Sequence, residues 1–255
     1  MRSGRKKKPE SYRERSYRQT AEQGDLVSSL VQIKETDLHI QADRDVTRRA
    51  TELVLQNRLQ IEDYIVRHPD FYATLVPEPL DNLAPPVVRD MLLAAEAAGV
   101  GPMAAVAGSI AACVGEKLLA EGVAEIIVEN GGDIFLYRQR DCTIAIFAGQ
   151  SVLSNKVGIL LTPAQMPCGI CTSSGTVGHS LSLGKADSVT VVADSTALAD
   201  AVATCLGNEV GEGSGKAGVN RALKKAGEIA GVRGVVVICG DVLGAVGDVE
   251  LVRLK

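Results

Sequence analysis

The 255-residue sequence has no tryptophan and only eight aromatic residues, three Phe and five Tyr. Its core must therefore be aliphatic, drawn from the Ala, Val, Leu and Ile that dominate a 46% apolar share, and close-packed through small side chains. No run of about 18 apolar residues occurs, so no transmembrane helix is expected. The longest apolar stretch, Met103 to Val114, is interrupted by Gly108 and Ser109 and reads as a buried helix. The basic N-terminus is not followed by an apolar segment, so no secretory signal is expected, and the chain reads as cytoplasmic. No Gly-Lys-Ser/Thr occurs, which excludes a Walker A phosphate loop. Only one Cys-x-x-C is present, Cys168-Gly169-Ile170-Cys171, so a zinc site built from two such pairs is excluded. All six cysteines are expected to be reduced thiols rather than a disulfide framework, most of them acting as small hydrophobes.

Charge is present but unevenly spread. Residues 1–18 carry eight Arg/Lys and two Glu, a net +6, which leaves −10 on the rest of a chain of net charge −4. A basic arm on an acidic body can reach for phosphates or RNA. A solvated start is the reading favoured for residues 1–10, so nucleic acid is not an expected partner. In Tyr12–Arg18 the aromatics interleave with Arg, a pattern suited to packing on the body or on a second subunit. The expected organisation is a partly disordered basic arm over 1–20 and one α+β domain over 21–255.

Alternating apolar residues predict strands at Leu26–Ile33 and Asp37–Ala42, joined as a hairpin around Lys34-Glu35-Thr36. His39, in the second, reads as a strand-surface histidine. Helical spacing over Arg44 to Arg67 places Val54, Leu55, Leu59, Ile61, Tyr64 and Ile65 on one stripe, and His68-Pro69 ends it. Further helices are predicted at Pro86–Ala98, Pro102–Ala120, Ser195–Leu206 and Asn220–Ala230. Short β-branched segments predict strands at 125–128, 134–138, 143–147, 157–161, 169–172, 188–192, 232–239, 243–246 and 249–253. Strands, helices, strands, helices, strands is an α+β order, not that of a doubly wound sheet.

Four constellations could carry chemistry. In Glu129-Asn130-Gly131-Gly132-Asp133-Ile134, two glycines permit close approach of a ligand, with Asn130 and Asp133 flanking them. By itself this motif reads first as a hairpin turn whose Asn and Asp bond their own backbone. Thr172-Ser173-Ser174-Gly175, running on to His179, is a hydroxyl- and glycine-rich loop able to present N–H groups to an anion, or else a polar turn. Asp200 and Thr204 are four residues apart and share a helix face, where a carboxylate and a hydroxyl suit a hard cation such as magnesium. Equally, Asp200 could only complement the dipole of its own helix. Cys168 and Cys171 could be a redox or persulfide pair, but in an extended strand positions i and i+3 point to opposite faces.

Taken in this order, the motifs resemble the ApbE-like superfamily, with its T-fold-related antiparallel sheets packed with helices. That superfamily includes magnesium-dependent transferases that attach FMN from FAD to a protein threonine. The similarity runs from about Gly101 to Leu206 and is most specific at Ala199-Asp200-Ala201-Val202-Ala203-Thr204. It implies magnesium at Asp200 and Thr204, and FAD or FMN near Asn130, Gly131, Gly132, Asp133, Thr172, Ser173, Ser174 and Gly175. The transferases' His-Ile-Ile-Asp-Pro segment has only Gly178–Gly184 in its place, with His179 as the corresponding histidine. Their Lys-Gly-Tyr element is replaced by Ala104–Gly108. Over nearly its whole length the chain is more similar to a prokaryotic branch with a Tyr-Arg opening and a Glu-Asn-Gly-Gly-Asp turn.

The resulting expectation is a magnesium-dependent flavin-nucleotide enzyme or nucleotide binder, with Asp200, His179 and Cys171 as catalytic groups. Two alternatives stand beside it, a sulfur-handling protein using Cys168 and Cys171 and a non-catalytic ligand-binding relative. Small-residue helices and the Tyr/Arg opening suggest a homodimer with a small-molecule nucleotide ligand and no membrane partner.

Overall fold

In the computed structural model, which describes residues 26–173, 186–211 and 215–254, eight strands form one antiparallel sheet. They are β1 (Val27–Ile33), β2 (Thr36–Ala42), β3 (Ile126–Asn130), β4 (Asp133–Tyr137), β7 (Cys168–Ser173), β8 (Ser188–Ala193), β9 (Val232–Cys239) and β10 (Val242–Gly247), in that spatial order. A second sheet has β6 (Val157–Leu161) between β11 (Glu250–Arg253) and β5 (Cys142–Ala145). The α+β architecture read from the sequence is the one observed. Two-residue turns build the hairpins. Lys34 takes φ 53° between β1 and β2, and Gly131 and Gly132 take 70° and 119° between β3 and β4. Two consecutive positive φ values match the right-handed twist of the flanking strands, and Gly supplies them without steric cost.

Helices cover one face of the large sheet: α1 (Thr47–Arg67), the short α2 (Pro69–Ala73), α3 (Pro86–Ala98), α4 (Val106–Ala120), α5 (Thr196–Val210) and α6 (Gly215–Ala226). The core on this side joins Leu38, Ile40, Val128, Phe135 and Val191 of the sheet to Met91, Leu92, Ile110, Val202 and Leu206 of the helices. A separate core between the two sheets contains Leu136, Ile159, Leu161, Ile170 and Ile238. Strands β4, β7 and β9 therefore carry apolar residues on both faces, which is why their sequences alternate less than that of the edge strand β1, where buried and exposed positions alternate.

Several expectations change. The α1 stripe is narrower than its periodicity predicted: Val54, Ile61 and Tyr64 are buried, but Leu55 is 45% and Leu59 64% exposed. His39 is buried, not on the strand surface, and its Nε2 lies 2.8 Å from the Ser28 hydroxyl. The stretch Pro102–Ala120 divides into a 3-10 turn (Pro102–Ala105) and α4. By length and hydropathy it could cross a membrane, and half of its most apolar stretch is buried in this fold. Its small residues serve close packing within the chain. A Cβ on Gly115 would overlap the Phe135 ring, and one on Gly108 would overlap Thr196 of α5. Gly169 of β7 likewise lies against the Thr196 backbone. Those two glycines let α5 sit down on both α4 and β7.

Candidate metal centre

Strand register brings the first two groups together. Asp133, the first residue of β4, is paired directly across from Cys171 of β7, so both side chains leave the same face of the sheet. That face is the helical one, since Cys171 belongs to the helix-side core. Because α5 packs closely on β7, Asp200 reaches the same point. One ligand atom each from Asp133, Cys171 and Asp200 lies within 4.8 Å of the others. All three residues are buried, Asp133 at 8% exposure and Asp200 at 9%.

Asp200 also spans two helices. Its Oδ2 accepts from the Gly108 N–H at 2.9 Å, and the Ala107 N–H also bonds the carboxyl. These amides belong to the first turn of α4, where N–H groups lack partners within their own helix. The dipole that Asp200 complements is thus that of α4, not that of its own helix. Asn130 joins the same place, donating from Nδ2 to the Ala107 carbonyl at 3.1 Å. Asn130 and Asp133 therefore do not simply close their own turn. Both reach outward, Asn130 to α4 and Asp133 to Cys171 and Asp200.

Burial dominates the electrostatics. It pushes the Asp133 carboxyl up to about 7, the Glu129 charge adds to this, and hydrogen bonds from Cys171 and Asp200 partly offset it. Asp200 is raised well above the ordinary carboxylate range, first by burial and then by the charge of Asp133. Burial also raises the Cys171 thiol, with both carboxylates contributing. Two buried carboxyls that cannot both ionise hold a proton between them unless a cation takes its place. Among the described residues, Asp133 Oδ1 has no hydrogen-bond partner. An orphan buried carboxylate oxygen beside a second carboxylate fits a divalent cation.

The other expected residues sort as follows. Thr204 lies one turn beyond Asp200 on α5 and is half-buried. Thr172 faces away from the cluster, with its hydroxyl 3.1 Å from that of Thr190 on the opposite face of β7. Its N–H is already committed to the Gly132 carbonyl at 3.1 Å, so it is not free to receive an anion. Strand alternation returns Ser173 to the Cys171 side. Ser174, Gly175 and His179 lie outside the described residues, as does the basic arm. Cys168 and Cys171 do not form a pair. Cys168 points into the core between the sheets and Cys171 into the helix-side core, so the persulfide pair has no geometry to support it. A cleft of about 390 Å³ lined by Arg44, Arg49, Glu52 and Glu121 contains none of the cluster residues. Its charges pair with each other, Arg49 with Glu121 at 2.8 Å.

The sequence marked Asp133 as a ligand-binding turn residue and Cys171 as a catalytic group, and missed that both converge on Asp200. No local signal could have shown it, since the three residues come from three separate elements.

Comparison with known proteins shows the family and the fold that this chain shares. The chain is 42% identical over 225 residues to a UPF0280 protein of Methanocaldococcus jannaschii, covering 87% of this chain and 91% of that one. It is also 42% identical over 219 residues to a UPF0280 protein of Methanosarcina acetivorans, covering 86% and 85%. Among solved structures, the flavin transferase ApbE from Vibrio cholerae aligns with a TM-score of 0.57 at 15% identity, covering 87% of this chain and 96% of that one. The ApbE protein of Thermotoga maritima aligns with a TM-score of 0.54 at 13% identity, covering 86% and 96%. At these identities the two structures share the fold with this chain. The family described as AbpE bacteria matches residues 18–250, a span that contains β1 to β10 and every residue of the cluster, and the chain belongs to that family.

Proposed function

We propose that the protein is a cation-dependent flavin-nucleotide protein of the FMN-transfer type. The observation that carries this reading is the convergence of Asp133 on Asp200, which itself accepts from the first turn of α4, in a fold shared with flavin transferases. Asp133 and Asp200 are the residues that would hold the cation, with the Thr204 hydroxyl one helical turn along. A bound divalent cation would supply charge neutralisation and Lewis acidity toward a pyrophosphate. The Gly131-Gly132 turn leaves backbone without side chains beside the cluster, which suits close approach of a nucleotide. Asn130 fixes that turn to α4.

Purified protein titrated with FAD in the presence of magnesium, manganese or zinc should show saturable quenching of flavin fluorescence with at least one of them. Asp200→Ala should weaken the binding by at least about tenfold, as loss of one charged ligand contact does. Saturable binding without transfer of FMN to a threonine peptide would identify a ligand-binding relative instead of a transferase. No binding with magnesium, manganese or zinc, and an Asp200→Ala variant indistinguishable from the parent, would remove the flavin reading.

A further inference from the structure

We propose that Cys171 is itself a ligand, and that with Asp133 and Asp200 it forms a three-residue site for a thiophilic divalent ion of the zinc–cobalt class rather than for magnesium. The proposal rests on the reading above for the presence of a cation and on nothing in it about flavin.

Three observations carry it. The sulfur and the two carboxylates converge within 4.8 Å of one another. A zinc-class ion takes oxygen at about 2.0–2.2 Å and sulfur at about 2.3 Å, so modest side-chain rotation would close the three atoms around it. The second observation is the partnerless Oδ1 of Asp133, on a carboxylate more than nine-tenths buried. A buried acceptor without a donor is costly, and a cation beside it removes that cost. The third is the character of the donors. Magnesium demands near-octahedral oxygen coordination and does not use a thiol, whereas Cys sulfur with carboxylate oxygen suits zinc and its neighbours. Three protein ligands also leave one position of a tetrahedral ion open for an outside oxygen, the arrangement of catalytic zinc sites.

The placement of Cys171 is set by the fold. Its direct pairing with Asp133 fixes both side chains on one face, and a shift of one residue in the register between β4 and β7 would turn the sulfur away. Gly169, two residues earlier on that face, is the position that admits α5 and hence Asp200. Metal binding would release to solvent both the thiol proton and the proton held between the two carboxyls, forming one sulfur–metal and two oxygen–metal bonds with no change of oxidation state.

The test uses the full-length protein, stripped with a chelator and titrated with cobalt(II) alone. One equivalent should produce a thiolate-to-cobalt charge-transfer band in the near ultraviolet. Zinc should abolish the band at stoichiometric amounts, while a large excess of magnesium should not. Cys171→Ser should lose the band, and both it and Asp133→Asn should weaken zinc binding by more than about 100-fold, since even outer-shell partners of a metal cost 10–100-fold. Cys113→Ser, on a half-buried cysteine of α4, should keep the band. Absence of the band in the folded parent protein, or its persistence in Cys171→Ser, would overturn the proposal. So would displacement of cobalt by magnesium at equal concentration. Because the titration contains no flavin, a cobalt band without FAD binding removes only the flavin reading, and FAD binding without a band removes only this one.

Discussion

Asp133 shows how far one side chain departs from its ordinary chemistry once buried. Its carboxyl titrates near 3.8 when unfolded and is pushed to about 7 by burial. The folded metal-free protein therefore binds the proton more tightly than the unfolded chain. That preference is fully present below about 4 and is lost as pH rises through about 7. Stability of the chelator-treated protein should fall over this window, by up to about 1.4 kcal/mol per pH unit while one proton is being lost. Thermal unfolding followed from pH 4 to pH 8 checks it, and a melting point that climbs over that range would contradict it. Asp133→Asn, which cannot ionise, should reduce the dependence to what burial of Asp200 alone contributes. A stoichiometric divalent ion should flatten the dependence, because it replaces the proton as counter-charge.

Among the elements, α5 carries most of the organisation of the site. It touches α3, α4, α6, β7 and β8, and its approach to β7 and α4 is set by Gly169 and Gly108. At both positions a Cβ would run into backbone of Thr196, which cannot rotate away as a side chain tip could. Gly169→Ala should therefore destabilise the protein by about 1–3 kcal/mol, the usual cost of overpacking. It should also weaken cation binding, because Asp200 moves with α5. On α1, Leu59→Ala should change stability by less than about 0.5 kcal/mol, since Leu59 is exposed in the chain. Urea unfolding midpoints of the two variants separate these outcomes. Equal losses would mean that the α1 stripe is buried after all, as its periodicity suggested. The sequence located α1, α3, α4 and α5 to within a few residues, because spacing, Pro and Gly mark their ends locally, but it placed α6 at Asn220–Ala230 when the helix spans Gly215–Ala226 and takes Gly215 and Gly218 into its first turn. It could not tell Leu59 from Ile61, because a helix stripe has no edge until a neighbour defines one.

In the whole molecule, the large sheet lies between the helices and the small sheet. Strands β4, β7 and β8 are central in it, while β1 and β10 form its edges. Backbone amides of Leu136, Ile170 and Val191 should exchange with deuterium only by global opening. Amides at the β1 edge, such as that of Leu30, should exchange by local fraying. Mass spectrometry of exchanged peptides would show the order, and faster exchange in β7 than in β1 would count against this layering. The layering also explains Cys168 and Cys171. Spacing already indicated that residues three apart in a strand face opposite ways, and the structure assigns each face a different core.

What the sequence determined alone was the kind of most of the longer elements, the α+β class, the Gly131-Gly132 turn and the shared face of Asp200 and Thr204. All of these follow from φ/ψ preference and side-chain periodicity within about ten residues. Only the tertiary structure decided that Asp133, Cys171 and Asp200 share one buried point and that Asp200 serves the first turn of α4. It also decided that Thr172 faces away from the cluster. These facts depend on the register of β4 against β7 and on how closely α5 sits upon them. Such pairings between distant segments leave no periodic trace in a single chain.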